Sequence, residues 1–154
     1  MDPQKELNLG PANYAIEPFR TENLSSLFEL YRRVVVFPDA ESITEYWQWR
    51  FGRNPFDDGT RPPFWVAKRD RNIVGALAQV PVILDVAGHP IRAYWAADFM
   101  VDPEVRGRGL GKQIFSRYRE SNPMVLSMGY SPNSVTSRVA RAVGFRSLHA
   151  FSRV

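Results

Sequence analysis

Apolar residues recur along the chain with two different periods, and the changes of period mark its elements. Tyr14 to Phe19 reads as a first strand. Leu24, Leu27, Phe28, Tyr31 and Val35 then fall on one face of a helix, with Thr21 as its expected cap and Pro38 as its stop. Ser42-x-x-Glu45 has capping-box spacing and predicts a second helix that ends near Gly52. Asn54-Pro55 and Asp58-Gly59 mark a loop over residues 53–63. Three strand runs follow, Phe64–Lys68, Ile73–Val86 and Ile91–Val101, with Pro81 expected at a bulge or an edge. Short turns at Asp70-Arg71-Asn72 and Gly88-His89-Pro90 imply antiparallel hairpins. Leu110, Ile114, Phe115 and Tyr118 return to helical spacing. Val125–Met128 reads as a strand that a crossover helix can place parallel to its predecessor. A helix over Ser134–Val143 and a strand over Phe145–Phe151 complete the pattern. The order β-α-α-β-β-β-α-β-α-β predicts an α/β (α+β) fold, a mixed and mainly antiparallel sheet flanked by helices. Residues 1–13 read as a flexible lead-in to a single domain over 14–154.

The densest chemistry lies where the third long strand meets the next helix. Val101 to Lys112 reads Val-Asp-Pro-Glu-Val-Arg-Gly-Arg-Gly-Leu-Gly-Lys. Glycines at 107, 109 and 111 allow positive φ and close backbone approach to a ligand. The unpaired N–H groups of the following helix make an anion site. Arg106, Arg108 and Lys112 add positive charge. The spacing excludes two common nucleotide loops. Gly111-Lys112 is followed by Gln113 rather than Ser or Thr, and the glycines do not fit G-x-G-x-x-G.

Composition narrows the chemistry. The 154 residues suit one domain and hold no cysteine, so disulfides, cysteine-based metal sites and an acyl-cysteine intermediate are all excluded. No apolar run reaches the roughly 18 residues of a spanning helix. The start, Met1-Asp-Pro-Gln-Lys-Glu, lacks the basic and apolar regions of a signal peptide, so the cytoplasm is the expected compartment. Net charge is +4 and 17 of the 20 basic residues are arginine, a balance that suits a polyanionic ligand. The arginines are scattered, which argues for a solvated surface over a nucleic-acid patch. His89 and His149 read as a turn and a strand residue, and with no third ligand in sight no metal is expected.

Arg106-x-x-Gly109-x-Gly111 after a Val-Asp-Pro-Glu strand exit resembles the pyrophosphate loop of the GNAT superfamily, the acyl-CoA-dependent N-acyltransferases. Asn133 ahead of the last helix and Gly144-Phe145 behind it resemble the family's closing helix, and the element order agrees over roughly residues 14–151. Trp47-Gln-Trp49-Arg50-Phe51 with Asn54-Pro55 is similar to a bacterial subgroup whose members often carry a further domain. The family usually has one more strand after Phe145–Phe151. The resemblance therefore implies a fragment of a longer protein, or a second copy or further domain that completes the sheet.

The resemblance also implies an activity. An amine, on a small molecule or a protein, would attack the thioester of acetyl-CoA or another acyl-CoA directly. Phe99, Met100 and Val101 would hold the pantetheine arm through their backbone. Arg106, Gly107, Arg108, Gly109, Leu110, Gly111, Lys112 and Asn133 would complete the cofactor site. Asp98, a lone charge in an apolar run, reads either as the general base or as a structural acceptor bonded to backbone or an arginine. Many members place a tyrosine acid four residues before Gly-Phe, where this chain has Ala140. Ser137, Tyr130 or water would then protonate the leaving thiolate. Trp47 and Phe51, one helical turn apart, are expected in the core, whereas Trp49 and Arg50 point elsewhere and are acceptor-site candidates. The rival readings are a GNAT-like CoA-binding domain without chemistry and a basic nucleic-acid-binding module.

Overall fold

A computed structural model describes residues 14–122, 124–127 and 134–146. Five strands form one sheet in sequence order: β1 (Ala15–Pro18), β2 (Phe64–Arg69), β3 (Asn72–Val86), β4 (His89–Val101) and β5 (Val125–Ser127). The first four pair antiparallel, and β5 runs parallel to β4 after the crossover through α3 (Leu110–Ser121). Helices α1 (Leu24–Val34) and α2 (Ala40–Trp47) cover one face; α3 and α4 (Val135–Ala142) cover the other. This is the mixed, mainly antiparallel sheet flanked by helices that the periodicity predicts.

Side-chain alternation splits the core in two. On the α1/α2 face Leu27, Leu30, Tyr31 and Ile43 pack on Phe64, Val66, Ala76, Ala78 and Met100. Trp47 and Phe51 join them, with Trp47 stacked on Phe64 at 5.4 Å, so the expectation of core for both holds. On the other face Leu110, Ile114, Phe115 and Tyr118 pack on Val74, Leu77 and Tyr94. Those four are the residues whose spacing predicts α3.

Several boundaries differ from the pattern. Thr21 does not cap a helix: Thr21–Asn23 forms a 3-10 turn and α1 begins at Leu24. Ser42 does not open α2 either. The helix starts at Ala40, and Asp39 accepts from both the Ser42 amide (2.7 Å) and its hydroxyl (2.8 Å). A carboxylate caps the exposed amides better than a hydroxyl one turn later would. The second hairpin turns at Ala87-Gly88, with φ of 52° and 81°, rather than at Gly88-His89-Pro90. Positive φ at both central residues matches strand twist in a two-residue hairpin, so β4 begins at His89. Pro81 faces an open stretch: β2 pairs with β3 only as far as Ala78, and the Pro81 carbonyl accepts from Asn54 Nδ2 (3.2 Å). Phe145 and Arg146 are not in a strand. Beyond them the strand expected to run to Phe151 lies outside the described residues, as do Met128, His149 and residues 1–13.

Candidate functional site

β4 carries an irregularity that decides the site. Ala78 pairs with Ala97 and Ala76 with Met100, so Asp98 and Phe99 together oppose Leu77. That is a β-bulge, and Asp98 takes the left-handed conformation at φ 45°. Such a φ is uncommon outside glycine, and Asp is among the residues that tolerate it best. Across the bulge the alternation slips by one. Ala97 and Asp98 both face α1 and α2, and Phe99 turns to the α3 side, edge-on to Phe115 at 4.9 Å.

Asp98 therefore points into a ring of polar groups. Tyr31 of α1 donates to Oδ2 at 2.6 Å. Tyr46 of α2 donates to Oδ1 at 2.7 Å, with Oδ2 at 2.9 Å. Arg50, on the π-helical turn Gln48–Gly52, donates from Nη1 to the Tyr46 hydroxyl (2.9 Å) and holds Nε 3.9 Å from Asp98 Oδ2. Burial, then the Asp98 charge, holds the Tyr31 phenol far above its ordinary range. Burial and the hydrogen bond to Asp98 raise Tyr46 likewise. Both phenols stay protonated and act as donors. Asp98 thus accepts from two tyrosines, where the sequence reading offers backbone or an arginine as its structural partners. Its side chain keeps 13% exposure.

Ahead of the bulge, β4 pairs with β5 from Tyr94 to Ala96, and among the described residues the pairing goes no further. The β5-side edge of Phe99–Val101 thus has no described strand beside it. Tyr118 spans the two strands, its hydroxyl against the carbonyls of Tyr94 (2.5 Å) and Leu126 (3.0 Å). β4 then exits into the glycine loop. Asp102 is buried and caps the 3-10 turn Pro103–Val105, accepting from Glu104 N (3.0 Å) and from Arg33 Nε of α1 (2.8 Å). The Asp-Pro pair at a helix start carried that signal, although sequence reasoning passed over Asp102 and Arg33. Arg106 folds back, Nε to the Val101 carbonyl (3.0 Å).

Gly109 is the N-cap of α3 at φ 76°, and no side chain caps the amides behind it. A Cβ built on Gly109 would meet nothing within 4 Å, so the chain is open to its surroundings at the helix cap. Gly111 needs its hydrogen for a different reason: a Cβ there would stand 2.7 Å from Phe99 Cζ. Leu110 is buried and anchors the helix start in the core. Arg108 and Lys112 are exposed and form no ion pair with any described residue. Open amides at a helix N-terminus with unspent cations beside them fit a pyrophosphate.

The other candidates sit further off. Ser137 is on the α3/α4 side, across the sheet from Asp98, and its amide is capped by the Ser134 hydroxyl (3.1 Å). Ser134, rather than Asn133, is the N-cap of α4. Tyr130 and Asn133 lie outside the described residues. Trp49 is 67% exposed beside Tyr46, ring centres 6.1 Å apart, and so borders the Asp98 ring. No group of three or more His, Cys, Asp or Glu among the described residues is placed to hold a metal, and no helix among them is long and apolar enough to cross a membrane.

Solved structures share this architecture. A transcriptional regulator from Bacillus halodurans C-125 superposes with a TM-score of 0.65 at 14% identity, over 92% of this chain and 99% of that one. A GNAT family acetyltransferase from Brucella melitensis, solved with acetyl-CoA, gives 0.64 at 16% identity, over 88% and 84%. An aminoglycoside antibiotic 6'-N-acetyltransferase from Acinetobacter haemolyticus gives 0.58 at 16% identity, over 91% and 98%. At these identities the likeness is one of fold. No curated protein matches the chain. Residues 60–146, more than half of the sequence and the part that holds β2 to α4, match the family model for the acetyltransferase (GNAT) domain. With its glycine loop opening α3 and its strand exit at Val101, the chain belongs to the GNAT acetyltransferase family.

Proposed function

We propose that this protein is an N-acetyltransferase that moves the acetyl group of acetyl-CoA directly to an amine, with no covalent enzyme intermediate. The observation that carries the reading is the N-terminus of α3, where left-handed Gly109 leaves the first amides without a side-chain cap, in a segment that also carries Arg108 and Lys112. Related folds solved with acetyl-CoA or CoA support the same co-substrate. Acetyl-CoA supplies an activated acyl carbon and a good leaving group. Arg106, Gly107, Arg108, Gly109, Leu110, Gly111 and Lys112 hold its pyrophosphate, with Asn133 beside them, and the backbone of Phe99–Val101 holds the pantetheine arm. Asp98 takes the proton of the attacking amine. Ser137 or Tyr130 returns a proton to the sulfur. Trp49 and Arg50 face the acceptor. The reaction is placed in the cytoplasm.

Gly109→Glu tests the cofactor half. A carboxylate at the helix N-terminus occupies the anion site, and acetyl-CoA binding should vanish in calorimetry. Gly109→Ala is the control, since it adds only the strain of a left-handed alanine, about 1 kcal/mol. Unchanged affinity in the Glu variant refutes the assignment. A second reading, a CoA-binding domain without chemistry, is favoured by Ala140. The position of the family's tyrosine acid carries a methyl group there, 5% exposed in the α3/α4 core. Tight acetyl-CoA binding with no thiol release across a broad amine panel would establish it.

A further inference from the structure

We infer that the acceptor is a zwitterion, an amine with a carboxylate on the neighbouring carbon, held by Asp98 through its ammonium and by Arg50 through its carboxylate. The inference rests on the acyl-transfer reading above and names its substrate class.

The first observation is the unfinished state of Arg50. A guanidinium has five N–H donors. Among the described residues Arg50 makes one hydrogen bond, from Nη1 to the Tyr46 hydroxyl. Its Nε is fully shielded and has no acceptor, because Asp98 Oδ2 at 3.9 Å stands beyond hydrogen-bond reach. A shielded donor without a partner is unfavourable, the more so when charged. The side chain is nonetheless 29% exposed, so part of it is open to solvent beside Asp98. A carboxylate matches that fork with two parallel hydrogen bonds.

The second observation is charge order. An acceptor amine arrives largely as an ammonium and needs Asp98. Arg50 stands beside Asp98, so a plain ammonium would meet a guanidinium at the same place. A zwitterion laid antiparallel to the Asp98–Arg50 pair meets opposite charge at both ends. Ammonium nitrogen and carboxyl carbon of an α-amino acid are about 2.5 Å apart. Asp98 and Arg50 are near neighbours, with Oδ2 3.9 Å from Nε, so one small molecule spans both side chains. Exposed Trp49, next to Tyr46, offers a ring to cover the acceptor's carbon skeleton. The hollow lined by Arg50, Phe51, Asn54 and Tyr94 holds about 10 Å³, room for one water, so the acceptor lies over the ring and not inside that hollow.

The chemistry balances. The ammonium gives one proton to Asp98, and the freed nitrogen pair forms the N–C bond to the acetyl carbon. The C–S bond breaks, and a second proton from nitrogen ends on the CoA thiolate. Asp98 then loses its proton to water.

The test is thiol release with matched pairs of α-amino acid and α-amino amide: leucine and leucinamide, phenylalanine and phenylalaninamide, lysine and lysinamide. The acid should exceed its amide in kcat/KM by at least about tenfold, since a site built for a polar group rejects the analogue that lacks it. In Arg50→Gln that ratio should fall to within about threefold, and Arg50→Lys, which keeps the charge and loses the fork, should lie between. Equal rates for acid and amide in the wild type overturn the inference and leave acyl transfer standing. So does a ratio that Arg50→Gln does not change. Acetyl-CoA binding without thiol release from any amine overturns acyl transfer and the inference together.

Discussion

Removing the Tyr31 hydroxyl should destabilise the protein in one background and not in another. Tyr31 is 2% exposed, and its phenol donates to Asp98 Oδ2 at 2.6 Å. A hydrogen bond to a charged partner contributes about 1.5–3 kcal/mol. Tyr31→Phe should therefore cost about 1.5–2 kcal/mol, because Asp98 keeps Tyr46. Asp98→Ala removes the acceptor and leaves the phenol buried with no described partner, a penalty of about 1–3 kcal/mol. Alanine at φ 45° adds strain of about 1 kcal/mol. In that background the phenol is only a liability, and adding Tyr31→Phe should be neutral or stabilising. The double-mutant cycle should thus give a coupling near 2 kcal/mol, read as denaturant midpoints at constant m. For a domain of this length that is a difference of about 4–8 °C in Tm. Additive effects within about 0.5 kcal/mol would refute the claim that Asp98 is held by the tyrosines.

Asp98→Asn should lower kcat by about 10²–10⁴-fold and leave acetyl-CoA affinity nearly intact; unaffected turnover would make Asp98 purely structural. Stability should fall above pH 10. Burial raises the Tyr31 and Tyr118 phenols above 10.0, so the unfolded chain ionises first and the folded state binds more protons there. The contribution is whole below pH 10 and is lost at about 1.4 kcal/mol per pH unit for each tyrosine above it, and Tyr31→Phe should flatten that slope. Asp102→Ala removes both the cap of the 3-10 turn and the Arg33 tie, and should cost about 1–2 kcal/mol while raising KM for acetyl-CoA more than it lowers kcat. A KM that stays put would show that the loop keeps its shape without that tie.

Much of this protein was legible in the chain itself. The strand exit, the glycines at 107, 109 and 111 and the apolar stripe of Leu110, Ile114, Phe115 and Tyr118 are contiguous, so local rules of φ and periodicity suffice to place an anion site at a helix start. The one-turn spacing of Trp47 and Phe51 likewise points both to the core, where they lie. The surroundings of Asp98 were not legible. Strict alternation puts Asp98 on the α3 face with Ala96, and only the bulge opposite Leu77 turns it to the α1/α2 face. A bulge is set by how two strands pair, and no property of Asp98 and Phe99 alone reports it. Its partners lie 67 and 52 positions away, in two helices that meet β4 only when the sheet is covered. In the one-dimensional chain Tyr31 reads as an ordinary apolar-face aromatic and nothing singles out Tyr46; folding alone joins their hydroxyls to one carboxylate and leaves Arg50 with donors to spare.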